Sequence, residues 1–191
     1  MSNLHSYYTI PTAIDKSVAS VIEQQMKTVP LDTASVLGDE DERSDVMSLR
    51  NSKIHWIASD HWVAGMMAHF INVANIGCFH FDLNLWSEKI QYTVYDEVGA
   101  NYGWHVDSMN SPHYHGLVRK LSMSLCLSDS SEYEGGELEL VTDNDNFRKH
   151  TFKMNCGDAI IFPSTMRHRV KPITAGKRVS LVGWYAGPPL R

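Results

Sequence analysis

The chain has 191 residues, 43% hydrophobic and 20% charged, which is enough for one domain with a substantial buried core. Its net charge is −5 with no block of Lys and Arg, which weighs against nucleic acid as a partner because phosphate binding needs a cationic face. No apolar run approaches the roughly 18 residues of a membrane span, Met1 to Lys16 has no leader-like pattern, and Cys78, Cys126 and Cys156 form no CxxC pair, so the expectation is a cytoplasmic protein with buried free thiols and no membrane partner.

Residues 15–28 (DKSVASVIEQQMKT) read as a helix capped by Asp15, with Val18, Val21, Ile22 and Met26 on one face and Pro30 just beyond its end. Pro30 to Asp45 carries GDEDERSD and reads as a solvated loop. A short strand is expected at Lys53 to Ala58. Ser59 or Asp60 then caps a second helix, with Trp62, Met66, Phe70 and Val73 as its buried stripe.

From residue 78 the pattern changes. Nine short β-type runs follow one another, from CFHFDLNLW through KIQYTVYDE, NYGWHVD and RKLSMSLCLS to KRVSLVGWY, with turn residues but no helix between them. That spacing predicts a mainly β fold, an antiparallel sandwich or barrel. The whole chain reads as a single domain: residues 1–77 as a helical support region and 78–191 as the β-barrel core.

His105-Val106-Asp107 places an imidazole and a carboxylate two apart on a strand, hence on one face. A metal site needs a further ligand, and His168, opening the run HRVKPI, is the best candidate. Two histidines and one carboxylate leave three positions of an octahedron open, which suits Fe(II), a bidentate 2-oxo acid and O2. HxD alone is weak; the residues ten positions past His168 strengthen it. Arg178, Ser180, Val182 and Trp184 share one face of their strand, and an inward Arg and Ser call for an anion such as the distal carboxylate of 2-oxoglutarate. The plainer alternative for Arg178 is a surface strand arginine paired with an acid.

The stretches IQYTVYDEVGANYGWHVDS, KLSMSLCLSDSSEYEGGELEL and CGDAIIFPSTMRHRVKPITAGKRVSLVGWY, spanning residues 90–187, resemble the 2-oxoglutarate/Fe(II) dioxygenases of the prolyl 4-hydroxylase type. The resemblance implies a double-stranded β-helix, a jelly-roll barrel with iron at its open end. It makes His105, Asp107 and His168 the ligands and Arg178 the anchor of the 2-oxoglutarate tail, with ascorbate as a reductant. Tyr95, ten residues before His105, takes the place of a family tyrosine that reaches the co-substrate, although a core aromatic is the alternative. Some relatives carry tyrosine where Cys126 stands. Tyr102 and Trp104 line the substrate side or serve as packing. Gly135 and Gly136 are read as turn residues.

By the same resemblance the reaction couples oxidative decarboxylation of 2-oxoglutarate to hydroxylation of an unactivated C–H bond. Asp107 favours hydroxylation, since related halogenases have a small residue there. A prolyl residue in a peptide or protein is the first choice of substrate, with a free amino acid or other small molecule as the alternative. The run Ser108 to Val118 is expected to fold over that substrate, bringing His115; its His113 and His115 are read as lid residues rather than a second metal site. A nucleic-acid demethylase is disfavoured by Trp184, which stands where a second arginine is usual. A non-enzymatic cupin-like module explains a barrel and one metal, but not Arg178 beside Ser180.

Overall fold

The computed structural model describes residues 6–28, 32–33, 50–86, 88–108, 116–142 and 147–189. Most of the acidic segment between Pro30 and Asp45, and the segment holding His113 and His115, therefore lie outside the described residues. In chain order the elements begin with β1 (Tyr8–Ile10), α1 (Lys16–Met26), β2 (Asp32–Thr33), β3 (Arg50–Asn51), β4 (Lys53–Ile57) and α2 (Trp62–Ala74). There follow β5 (Leu85–Trp86), β6 (Ile90–Tyr95), β7 (Asn101–His105), β8 (Val118–Cys126), β9 (Tyr133–Gly135) and β10 (Leu138–Thr142). The chain closes with β11 (Arg148–Phe152), β12 (Ala159–Pro163), β13 (His168–Val170), β14 (Ile173–Gly176) and β15 (Arg178–Gly187).

Among the described residues an eight-stranded sheet runs in the order β1-β12-β8-β15-β6-β4-β2, with β5 pairing the end of β15. A five-stranded sheet, β11-β10-β13-β7-β3, faces it, and β14 pairs β9. All pairings are antiparallel. This is the mainly β jelly-roll sandwich expected from the sequence.

Alternation along the central strands separates two cores. Leu121, Met123, Leu125, Val179 and Leu181 face outward and pack with Ile22, Met67 and Ile71 of the helices. Tyr95, Cys126, Ile160 and Phe162 face inward, against Leu138, Leu140 and Val170 of the smaller sheet. The inward set is the polar one: Gln91, Thr93, Ser122, Ser124, Arg178 and Ser180 are also buried.

The first 77 residues do more than support. β1 extends the large sheet, β4 joins β6, and β3 pairs β7 of the small sheet. Both helices are rolled relative to expectation. In α1 the buried line is Ala19, Ile22 and Met26, while Val21 is exposed, and Asp15 makes no side-chain cap bond. In α2 the stripe is displaced by one residue, to Val63, Ala64, Met67, Ile71 and Ala74. The small Ala64 and Ala74 let the helix approach the sheet, whereas Trp62 stays outside and donates to Gln25 Oε1 at 3.2 Å. The cap is His61, whose side chain accepts from Val63 N, rather than Ser59 or Asp60.

Further expectations are corrected. The run from Cys78 to Trp86 is strand only at Leu85–Trp86. The helix continues as a wider turn over Asn75–Phe79 and ends at His80 with φ 56°. Asn75 stabilises that ending by bonding Phe81 N at 2.8 Å and Phe81 O at 3.0 Å. The helical run Trp62–Phe79 is long and apolar enough by length and composition to cross a membrane. This corrects the expectation that no apolar run approaches that length. In the fold its buried face packs on the large sheet. None of the three cysteines forms a disulfide; Cys126 is buried, but Cys78 and Cys156 are only half-buried.

Candidate active site

His105 is the last residue of β7 and pairs with His168, the first residue of β13. Asp107 lies just past β7, held there by hydrogen bonds from its own N–H and that of Ser108 to Ser164 O, both 2.9 Å. The His105–Asp107 pair and the distant His168 offer one ligand atom each within 4.8 Å of one another. His105 Nε2 is 3.6 Å from Asp107 Oδ1, and His168 Nε2 is 3.4 Å from Asp107 Oδ2.

The protons explain why this grouping needs a cation. His105 Nδ1 lies 2.8 Å from Gly103 O and His168 Nδ1 2.9 Å from Met166 O. Each carbonyl fixes a proton on Nδ1 and leaves the Nε2 lone pair facing inward. Burial, together with His168, pushes the His105 imidazole down to about 4 despite Asp107, so it is neutral near pH 7. Burial also raises the Asp107 carboxyl, but His168, His105, the Ser122 hydroxyl and Arg119 outweigh it and leave Asp107 below the ordinary carboxylate range. Two imidazole Nε2 atoms and a buried carboxylate thus converge on one point. Asp107 Oδ2 has no hydrogen-bond partner. A divalent ion satisfies all three at once.

Arg178 starts β15 and is 1% exposed. Its Nη1 donates to Ser180 Oγ at 3.1 Å, while Nε and Nη2 are buried without partners. A guanidinium does not lose its proton, so two orphaned donors on a buried cation mark a place for an anion. Gly136 gives Arg178 its room. At φ +64°, a Cβ there would collide with Ile173 Cδ1 and come within 3.2 Å of Arg178 Cδ. Gly135 and Gly136 do form the expected turn, and Gly136 also shapes this pocket. Tyr95 pairs with Arg178 in register, and the Arg178 Cζ lies 5.6 Å from its ring centroid. Burial pushes the Tyr95 hydroxyl up, against Arg50 and Arg178.

The substrate-side expectations divide. Tyr102 stacks on His105 with centroids 3.6 Å apart and planes at 15°, so it borders the cluster. Trp104 does not. Its ring lies under Arg169 at 4.7 Å and Arg167 at 5.6 Å, residues that alternate with His168 and occupy the opposite face. The irregularity in the β7–β13 pairing puts Tyr102 and His105 on one face, three residues apart, while Trp104, next to His105, falls on the other face by ordinary alternation. His115 lies outside the described residues.

Two arginines near the cluster escaped the sequence reading. Arg119 pairs with Glu88 through Nε and Nη2, donates from Nη1 to Asp107 O at 3.1 Å, and lies 4.0 Å over the Trp184 ring. Arg50 donates from Nε to Ser52 Oγ at 3.0 Å and lies 4.5 Å over Tyr102. With the Gln91 amide turned oxygen-first, that oxygen accepts from both Arg50 Nη atoms. No spacing rule predicts these contacts; Glu88 and Arg119 are 31 residues apart.

A jelly roll with two histidines and a carboxylate at one end of its polar interior, and a buried unpaired arginine at the other, defines a non-heme metal oxygenase class. The 2OG-Fe(II) oxygenase superfamily model matches residues 90–186, and the chain belongs to that family. The family implies Fe(II), 2-oxoglutarate and O2. A PKHD-type hydroxylase of Psychrobacter sp. (strain PRwf-1) is 40% identical over 91 residues, covering 46% of this chain and 34% of that one. The chain spans less than half the length of the curated relatives it matches. Two solved structures share the fold. A Pseudomonas putida prolyl-4-hydroxylase has a TM-score of 0.71 at 19% identity, covering 95% of this chain and 92% of that one. A Trichoplax adhaerens prolyl hydroxylase, in complex with a hypoxia inducible factor peptide fragment, has a TM-score of 0.73 at 20% identity, covering 96% and 84%.

Proposed function

We propose that this chain is a 2-oxoglutarate- and Fe(II)-dependent dioxygenase that hydroxylates an unactivated C–H bond of a prolyl residue in a peptide or protein. The observation that carries the reading is the convergence of His105, Asp107 and His168 in one interior with the orphaned donors of Arg178. In this reading His105 Nε2, Asp107 and His168 Nε2 hold the iron, and Arg178 receives the distal carboxylate of 2-oxoglutarate. Bound iron with 2-oxoglutarate and O2 supplies the oxidising chemistry, releasing succinate and CO2.

The protein's own part is to orient and to exclude water. Gly103 O and Met166 O keep both imidazoles in the ligating tautomer. Ser164 O and Arg119 fix the backbone on either side of the Asp107 carboxylate. Ser180 holds one Nη of Arg178 so that the rest of the fork faces the ligand. Tyr102 borders the cluster as an aromatic surface for a ring-shaped substrate. The choice of proline rests on the relatives' names and on the peptide complex of the Trichoplax protein. A module that holds a metal and no anionic ligand leaves the two unpartnered donors of the buried Arg178 unexplained.

The test is anaerobic titration of the purified full chain with Fe(II) and then 2-oxoglutarate, followed through the weak visible charge-transfer band of the chelate. The band is expected in the wild type, absent in His168→Ala, and shifted to roughly 100-fold higher 2-oxoglutarate in Arg178→Met, with iron binding retained. Iron binding without a band in the wild type overturns the co-substrate assignment. With the band present, proline-containing peptides are incubated in air and weighed for one added oxygen. Succinate release stimulated by free amino acids but by no peptide overturns the substrate.

A further inference from the structure

The outer face of the small sheet, turned away from the metal-ligand cluster, gathers cations that lie apart in the chain. On and beside β13, Arg167, Arg169 and Lys171 alternate with the inward His168 and Val170 and so face outward. On β11, Lys149 takes the face opposite Phe152, which packs in the inner core. Glu139 of β10 lies between them and is 2% exposed; it receives Arg169 Nε at 2.6 Å and Lys149 Nζ at 3.3 Å. Glu137 pairs with Lys171 at 3.2 Å. Four cations thus meet two carboxylates, in a chain whose 17 Lys and Arg are outnumbered by 22 Asp and Glu.

Arg167 is exposed and, among the described residues, pairs with no carboxylate; its guanidinium lies near the Trp104 ring, which Arg169 also overlies. An indole shared by two guanidiniums restrains both, so they lose less freedom when an anion arrives. Val141 pairs with Lys149, and its N–H donates to Arg167 O at 2.9 Å, so Lys149, Val141 and Arg167 form one row from β11 over β10 to the start of β13. His168 pairs with His105, and the next residues beyond that pair are Arg167 and Val106. Val106 is 43% exposed and stands between the ligands His105 and Asp107. The row therefore ends at the rim that a polypeptide crosses to place one residue in the interior. Adjacent strands are about 4.8 Å apart, so Lys149 and Arg167 are about 10 Å apart, the length of roughly three residues of extended chain.

We propose that this face is a docking surface for an acidic segment of the polypeptide substrate, with Lys149 and Arg167 receiving its carboxylates and Val106 meeting the chain as it passes over the rim toward the metal-ligand cluster. The inference rests on the reading that the target is a prolyl residue in a polypeptide, and adds what recognises it: acidic residues flanking that prolyl. An acidic polypeptide suits the face better than a nucleic acid. The cations are few and are interrupted by Glu139 and Val141, whereas a phosphate backbone needs a continuous cationic stripe.

The test compares binding rather than turnover. The full chain, loaded with Mn(II) and 2-oxoglutarate without O2, is titrated with fluorescent synthetic peptides holding a central proline. One set carries a run of Glu a few positions before or after the proline, and the other carries Gln in its place. Fluorescence anisotropy is expected to show the Glu peptide binding about fivefold more tightly, with the excess vanishing at high salt. Lys149→Gln combined with Arg167→Gln is expected to abolish that preference and leave the affinities for the Gln peptide and for 2-oxoglutarate unchanged. Equal binding of the two sets by the wild type, or a preference that survives the double variant, overturns the proposal. So does a single-stranded oligonucleotide of matching charge that binds this face more tightly than the Glu peptide. If the preference and its loss hold but no peptide of either set gains an oxygen once Fe(II) and air are supplied, the prolyl reading fails and the docking surface remains.

Discussion

The two ends of the polar interior treat their arginines differently. Near the His105–Asp107–His168 cluster, Arg119 is matched by Glu88 and by Asp107 O, and Arg50 by Ser52 and Gln91. Both stack on aromatic rings, Trp184 and Tyr102. Their charge is used within the protein, and they act as struts for the side chains around the cluster. At the far end Arg178 is more deeply buried, yet only one of its three nitrogens has a protein partner. A satisfied buried cation is architecture, whereas an unsatisfied one points to an anionic partner, because desolvating it without a counter-charge costs several kcal/mol. The difference separates an arginine that shapes the site from one that binds in it.

The largest expected effect is at the far end. Gly136→Ala forces a Cβ onto Ile173 and against Arg178 at a positive φ, which is expected to lower stability by about 2–4 kcal/mol. The accompanying displacement of Arg178 should weaken 2-oxoglutarate binding. Urea unfolding and calorimetry check the two parts, and an unchanged 2-oxoglutarate affinity would show that Arg178 is not held by close packing. At the other end, Glu88→Gln leaves Arg119 without its acid and is expected to cost about 1 kcal/mol. It should raise the apparent KM of a peptide substrate without altering 2-oxoglutarate affinity. A loss confined to 2-oxoglutarate would erase the contrast between the ends.

The smallest effect belongs outside the interior. The hydrogen bond from Lys16 holds the exposed Asp129 carboxyl down to about 2. Its folded value lies below the unfolded one, near 4, so its stabilisation is present above pH 4 and lost as the pH falls through 2. The difference in Tm between wild type and Asp129→Asn should therefore be slight at pH 5, shrink toward pH 2, and diminish with added salt. A difference that grows on acidification contradicts the sign.

The contrast between the ends was only half legible in the chain. His105, Asp107 and the inward face of Arg178 and Ser180 follow from a two-residue period, which is local backbone geometry and survives into any strand. The β character of residues 90–187 was equally local, because alternation and turn residues write it into short windows. The helical faces were missed by one position, because their roll depends on which side chains are small enough to meet the sheet. Tyr102 reaches the face of His105 only because an irregularity in strand pairing changes the period there, whereas Trp104, beside His105, follows the ordinary alternation and faces away.

What the sequence by itself determined was the fold class, the resemblance to a family, and which residue types stand ready for iron and for an anion. Only the tertiary structure decided which polar groups already have partners. It matched Arg119 with Glu88, turned Cys126 toward carbonyls, and left Arg178 and Thr93 with hydrogen-bonding groups unmet. The physical reason is that hydrogen-bond satisfaction depends on neighbours brought together from distant parts of the chain, whereas strand alternation depends only on the next residue but one.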